Sequence, residues 1–521
     1  MPKVARTRLS DWASKGDWRL FFLHRDRLEK VTAADVNRVA AAYMKPSNRT
    51  LGVFVPTKDP QRAGIPETPA VAKLLDGYKG RTALGQGEAF EPTPANLDAR
   101  LKKTQIGAIK VGMLQKKTRG ETVTLQMVLR FGNEESLKGR KYAIDLMADM
   151  IGRGTKKHSR QEIQDKLDKL GTQMRVTAEP GALLITVRAK RAGLAETLES
   201  LREILREPTF SPKEFDLLKA EARDALDKQR TDPLALGQRE LRQQMTPYAK
   251  DHPLHVPSIE EELQGIAATT LAEVEELYAT QVSAQAGEVA ALGDFEPTAF
   301  LTGLRPILAD WSSNVPHRRI PRLAHPEVEG VRKTINTPDK PNAVFMAGLS
   351  FAVGDSHPDF VALDVGNFLF GGASSSRLVN RVRQKEGLSY GVRSQYSASP
   401  RDPASRLIMY AISNAKNAPK VDAAIADELE KYLADGPSGQ ELNDAKLAYL
   451  EAKKVSRTTD PELAMQMINA LSLDRPFGFY AEQERKASEV SPDEVKAAFR
   501  KYVNPKKLVI IQAGDFGPPK K

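Results

Sequence analysis

The sequence predicts a fold of mixed helix and strand in which a whole domain recurs, and two observations carry that expectation. Three segments share one plan: residues 32–56 (TAADVNRVAAAYMKPSNRTLGVFVP), 270–295 (TLAEVEELYATQVSAQAGEVAALGDF) and 491–516 (SPDEVKAAFRKYVNPKKLVIIQAGDF). Each begins with Thr or Ser three residues ahead of Asp or Glu, continues as an amphipathic helix and ends in an apolar strand. The second observation is that two strand-like runs, 123–131 (VTLQMVLRF) and 343–351 (AVFMAGLSF), are each followed by a long helix, a Gly turn and a second helix, at 159–170 and 375–386.

Each helix of the recurring plan starts on a capping box, in which the hydroxyl and the carboxylate satisfy amide donors that the first turn leaves orphaned. Beyond that start, Val36 and Tyr43 recur as Val495 and Tyr502 on one apolar face. The three segments lie a domain's length apart, so the repeating unit is a domain and not a solenoid turn.

Composition marks the boundaries. Residues 57–100 carry Pro60, Pro66, Pro69, Pro92 and Pro94 among Gly, Lys and Glu and read as a linker; 298–330, with Pro306, Pro316, Pro321 and Pro326, reads as a shorter one. The expected units are a domain remnant at 1–56, whole domains at 101–297 and 331–516, and a tail at 517–521. The remnant has an end without a beginning, so its helix around 11–22 and its strand at 51–55 would expose an apolar face. Such a start is easiest to explain as a piece of a longer polypeptide.

The chain has 521 residues, 40% of them hydrophobic, which is enough for several packed cores. No run of eighteen apolar residues suggests a membrane span, and the first thirty residues lack the apolar stretch of a secretory signal. Zero Cys removes disulfides, thiolate zinc sites and a Cys nucleophile. The net charge of +11 is spread along helical faces without basic runs or interleaved aromatics, which argues against a nucleic-acid groove.

Residues 143–155 (AIDLMADMIGRGT) have the outline of a zinc-peptidase helix with its metal-binding positions replaced. The inverted zinc motif H-x-x-E-H sets two His one turn apart for Zn²⁺ and a Glu as general base. Here Asp145 and Asp149 stand at the His positions and Ala148 at the Glu. Carboxylates can bind Zn²⁺, but a methyl group cannot take a proton from metal-bound water. The helix at 215–229 offers Glu221, Asp224 and Asp227, which read as a solvated face. His252 and His255 flank Pro253 in a loop and read as loop contacts; His24, His158, His317, His325 and His357 read as isolated surface residues.

Together with the segments at 16–36 (GDWRLFFLHRDRLEKVTAADV) and 370–392 (FGGASSSRLVNRVRQKEGLSYGV), this pattern resembles the C-terminal part of an insulinase/pitrilysin family zinc metallopeptidase, over nearly the whole chain. The resemblance implies an α+β fold: repeated domains of mainly antiparallel sheet packed with helices, two halves closing around a peptide. It also implies that this half binds no metal or other cofactor, and that Zn²⁺ and H-x-x-E-H reside in a catalytic partner half or subunit. Arg383 and Tyr390 match the pair that the metal-free half sends to the bound peptide near its scissile bond. A helix stop at Gly387 would aim both groups at one cavity.

The loop 371–376 (GGASSS) invites a phosphate reading but lacks the Lys of a P-loop, so it reads as a tight turn and N-cap, in the cavity wall if the resemblance holds. Peptide capture by strand addition follows from the same resemblance. So does a bacterial periplasm or envelope, although the chain itself carries no address. The expected partners are the catalytic half and a peptide, with no nucleic acid and no membrane span. An alternative is a catalytically inactive structural or interaction protein of the same fold, like the core subunits of respiratory complexes.

Overall fold

The runs at 123–131 and 343–351 are apolar without alternation because both faces of the strands they form are covered. The computed structural model describes residues 10, 12–49, 74–78 and 86–517, and it divides them into a small unit before residue 86 and a large unit from Gln86 onward.

In the large unit the first sheet is built from β1 (Lys102–Ile106), β2 (Ile109–Gln115), β3 (Thr122–Arg130), β4 (Gln173–Glu179), β5 (Ala182–Lys190) and β6 (Gly287–Gly293) in the order β1-β2-β6-β3-β5-β4. The second contains β7 (Val331–Asn336), β8 (Asn342–Phe351), β9 (Ser389–Ala398), β10 (Ser405–Asn414) and β11 (Val509–Gly514) in the order β7-β11-β8-β10-β9. Without β1 the two orders coincide strand for strand. The β2–β6 and β7–β11 pairs are parallel and every other pair is antiparallel. The fold is α+β, with the repeat that the sequence predicts.

One face of each sheet packs on helices of its own repeat. Val274 and Leu277 of the helix Leu271–Gln281 and Leu146 and Met147 of Lys141–Ile151 fill the first core. Val495 and Phe499 of Pro492–Tyr502 and Val361 and Val365 of Phe360–Asn367 fill the second. The capping boxes form as expected at Thr270–Glu273 and Ser491–Glu494.

The other face of each sheet is covered by a helix from the opposite repeat. Helix Asp460–Ser472 lays Leu463, Ala464, Met467 and Ile468 on Leu114, Val128, Ala290 and Leu292 of the first sheet. Helix Pro233–Met245 lays Leu241 and Met245 on Val344, Met346, Val509 and Ile511 of the second. Polar ties fix the exchange: buried Lys116 meets Asp460 at 2.6 Å, and Lys333 meets Glu240 at 2.7 Å. Gly348 permits the approach, since a Cβ there would stand 2.5 Å from the Met245 sulfur.

Two stretches expected to be linkers contain helices. Pro94–Arg100 follows the cap Thr93, and Pro297–Leu308 starts where the Glu296 carboxylate accepts from the Ala299 amide at 2.7 Å. Pro at the first helical position is pre-organised, and Phe300, Leu304 and Ile307 then bury one face. Farther along the same stretch, Arg319 grips nearly buried Asp402 through two bonds of 2.7 and 2.6 Å.

That guanidinium holds the Asp402 carboxyl below its usual range. A depressed folded pKa gives stability that is present above the unfolded value near 4 and is lost as pH falls below it. Asp402→Asn is therefore expected to cost roughly 1–3 kcal/mol at pH 7 and progressively less as the wild type is acidified, measured by urea unfolding across pH.

In the small unit, the helix expected at 11–22 is interrupted at Gly16, whose φ of 111° lies in the left-handed region, and helix resumes at Leu20–Leu28. Helix Ala33–Tyr43 starts on the expected Thr32–Asp35 capping box, and its Val36, Val39 and Tyr43 are exposed. The strand expected at 51–55 lies outside the described residues.

Candidate functional site

Helix Lys141–Ile151 is apolar on nearly every side because β4 and three helices surround it. Asp145 and Asp149, four residues apart, share the side that reaches solvent, and Ala148 is buried beside them. A cavity of about 280 Å³ opens here, lined by Ala148, Asp149, Arg153, Arg160 and Arg175 among others.

Cations hold Asp145 of the degenerate motif and the acidic residues Glu214 and Glu221 of the helix Pro212–Gln229 beside it. Lys141 meets Asp145 at 3.1 Å. Arg153, whose side chain is only 10% exposed, pairs with Glu214 at 3.4 Å and with Glu221, and Arg160 stands 3.8 Å from Glu221. Glu221 is thus a partner of guanidinium groups and not simply a solvated residue. Asp224 is exposed, and Asp227 pairs with Arg230 at 3.0 Å.

Loss of surrounding water is the largest influence on both motif carboxylates and raises their pKa values, against the pull of Lys141 on Asp145 and of Arg153 on Asp149. Asp149 keeps much of its surface exposed, but the concave wall around it thins its hydration. Among the described residues no group of three or more His, Asp or Glu is placed to hold a metal ion. The residues present do not fit Zn²⁺: Lys141 holds Asp145, Arg153 holds Glu221, and the general-base position is a buried methyl.

A raised folded pKa means that ionised Asp149 opposes folding at neutral pH, a cost that vanishes once the group is protonated. Asp149→Asn is therefore expected to be neutral or slightly stabilising at pH 7 and without effect near pH 3, read as the shift in thermal midpoint against wild type.

Arg383 lies in the helical turns Val379–Lys385 and Tyr390 in β9 of the second sheet. The turns over Val379–Lys385 are wide, with i→i+5 bonding that ends in Glu386 N donating to Arg381 O at 3.0 Å. Gly387 at φ 61° turns the chain into β9, as its position suggested. Glu386 pairs with Arg381 at 2.9 Å, leaving Arg383 exposed. Tyr390 is 72% exposed at the start of the sheet's last strand. Neither makes a hydrogen bond or ion pair with a described residue.

The loop before them is shaped by close packing. A Cβ on Gly371 would lie 2.6 Å from the Ser394 amide of β9, so the first glycine serves backbone contact. The turn closes with Ser376 N donating to Ala373 O at 3.2 Å, while the Ser376 hydroxyl is buried without a partner and caps nothing.

The histidines are local fixtures. His252 Nδ1 accepts from the Leu254 amide at 3.0 Å and its ring stacks on Tyr248; His255 Nδ1 lies 3.2 Å from Tyr248 O. His158 departs from the isolated expectation by meeting buried Glu203 at 2.8 Å. The residue that sequence reasoning missed is Arg153. Its signal is a basic residue four positions after Asp149, one turn on, where its charge reaches the acidic residues Glu214 and Glu221 of the helix Pro212–Gln229.

Two family models match the chain, "Insulinase (Peptidase family M16)" over residues 113–251 and "Peptidase M16 inactive domain" over 268–449. A Helicobacter pylori protein described as the non-peptidase homolog YmxG is 23% identical over 361 residues, 68% of this chain and 80% of the relative. The crystal structure of a peptidase M16 inactive domain from Pseudomonas fluorescens superposes with a TM-score of 0.70 at 20% identity, covering 81% of this chain and 99% of that one. The periplasmic protease PqqL of Escherichia coli gives 0.63 at 16% identity over 93% of this chain, which spans 50% of its length. With the family's sheets present twice and its metal motif replaced at Asp145, Ala148 and Asp149, the chain belongs to the insulinase family, peptidase family M16, as a member that lacks the catalytic motif.

Proposed function

We propose that the chain is a metal-free half or subunit of an insulinase-family peptidase, which contacts the peptide through Arg383 and Tyr390 and closes a chamber over a catalytic half carrying H-x-x-E-H and its Zn²⁺. The observation that carries this reading is a guanidinium and a phenol left exposed and unbonded on a stiff junction of turn and strand. Peptide hydrolysis builds negative charge on the scissile carbonyl oxygen. Two positioned donors in a closed, water-poor cavity stabilise that charge more than they stabilise the ground state.

The span of the chain along PqqL, a periplasmic protease about twice as long, supports the reading as one half of a pair and a periplasmic or envelope setting. In this reading residues 1–56 close a further domain, and 101–297 and 331–516 are the two domains of the half. The non-peptidase description of YmxG agrees with a chain that does not cut alone.

The test is reconstitution. The isolated chain is expected to leave a quenched peptide library intact, and hydrolysis is expected when a half containing H-x-x-E-H is added. Cleavage by the isolated chain that EDTA abolishes would overturn the proposal, as would stoichiometric Zn²⁺ bound through Asp145 and Asp149.

A further inference from the structure

Many arginines of this chain hold an acid, as Arg377 meets Glu441 at 2.7 Å and Arg475 meets Asp355 at 2.6 Å. One face gathers three that do not, exposed Arg242 and Arg393 and partly buried Arg406. The register of β9 on β10 sets Arg393 opposite Tyr410 and Arg406 opposite Ser397, and strand alternation puts Arg393, Gln395, Arg406 and Tyr410 on one side of the sheet. This is the side covered by helix Pro233–Met245, because Ile408 and Tyr410 pack with Leu241 and Met245. The helix lies over β8 and β11, and β9 at the sheet margin has no strand on its outer edge among the described residues.

Arg242 of that helix, Arg393 and Arg406 make no ion pair with any described residue. Arg322 beside them is held by Glu179. We infer that this β9–β10 margin receives the acidic side chains of an extended peptide, so that the favoured substrates carry Asp or Glu in the segment flanking the bond held at Arg383 and Tyr390. The inference rests on the role proposed for that pair and adds the substrate class.

Three features support it. Burial first, then the neighbouring Arg322 and Arg242, push the Arg406 pKa down, so the margin carries charge at a cost that an incoming carboxylate relieves. Tyr410 and Gln395 alternate with the cations, giving a wall that offers apolar surface and amide hydrogen bonds between charges. The line from Tyr390 to the level of Arg406, at Ser397, spans seven positions, roughly 23 Å of extended chain. A peptide lying along β9 would therefore meet the deepest cation about seven residues from the reacting bond.

The experiment is fluorescence anisotropy with the full chain and two labelled ten-residue peptides, one carrying four Glu and its isostere carrying Gln. The Glu peptide is expected to bind at least tenfold more tightly at about 50 mM salt, with the difference shrinking several-fold at about 300 mM. R393Q/R406Q should bring the two peptides to within about twofold, while K102Q/K103Q on β1, which removes as much charge, should leave the preference intact.

Equal binding of both peptides, undetectable binding of both, or equal loss from the Lys pair would overturn the inference. Circular dichroism checks folding; if R393Q/R406Q is unfolded, R393Q alone, at an exposed strand position, decides by the same criterion. Failure of the underlying reading looks different: hydrolysis by the reconstituted pair would tolerate R383A and Y390F while the Glu preference persisted.

Discussion

Met467→Ala and Leu241→Ala are each expected to lower the unfolding free energy by about 2–5 kcal/mol, and in both variants the two sheets should melt in one transition. Met467 is fully buried under the first sheet although its helix belongs to the second repeat, and Leu241 is 1% exposed under the second sheet although its helix belongs to the first. Removing either side chain opens a cavity between helix and sheet. Each cavity weakens both repeats because the helix that loses its anchor is continuous in the chain with its own repeat. Calorimetry with a two-state test measures this: one shifted endotherm agrees, and two resolved endotherms would show that the exchanged helices do not couple the sheets.

Arg383→Ala in the reconstituted peptidase is expected to reduce kcat by about 10²–10³, and Tyr390→Phe by a comparable or smaller factor, with KM changing far less. The split follows from where the bonds would strengthen: in the proposed role both donors meet a carbonyl oxygen whose charge grows only on the way to the tetrahedral intermediate. Because both side chains are exposed and bond to no described residue, folding should stay within about 0.5 kcal/mol of wild type. An inactive scaffold of the same fold would tolerate both changes. The measurement is single-turnover and steady-state hydrolysis of one peptide by the wild-type and variant chains mixed with the same catalytic half.

The repeat was legible because its signals are local. A Ser or Thr with an acid three positions on fixes a helix start through bonds within one turn, and Thr32, Thr270 and Ser491 all behave accordingly. The unbroken apolar runs of β3 and β8 announced strands with two covered faces. What covers the second face was not legible, because Leu241, Met245, Met467 and Ile468 look like the stripe of any amphipathic helix. Nothing in a periodic pattern says which sheet it will meet.

Helix Pro297–Leu308 was obscured by its prolines, which a linker and a first helical turn both favour. At the motif, the replacement of His and Glu was plain in the letters, whereas the engagement of Glu221 by Arg153 needed a distance across two helices. Tyr390 was open to a packing role on strand periodicity alone. Its exposure follows from the irregular register between Ile412 and Ser413, which frees the first turn of β9 from strict alternation.

The clamp of Arg153 on Glu214 and Glu221 bears on how the chain reaches its folded state. An ion must be captured from solution and can be stripped by a chelator, but a guanidinium arrives with the polypeptide and stays at every zinc concentration. In the proposed pairing, folding of this chain would draw on no metal supply, and any dependence of the assembled peptidase on scarce zinc would enter through its other member alone.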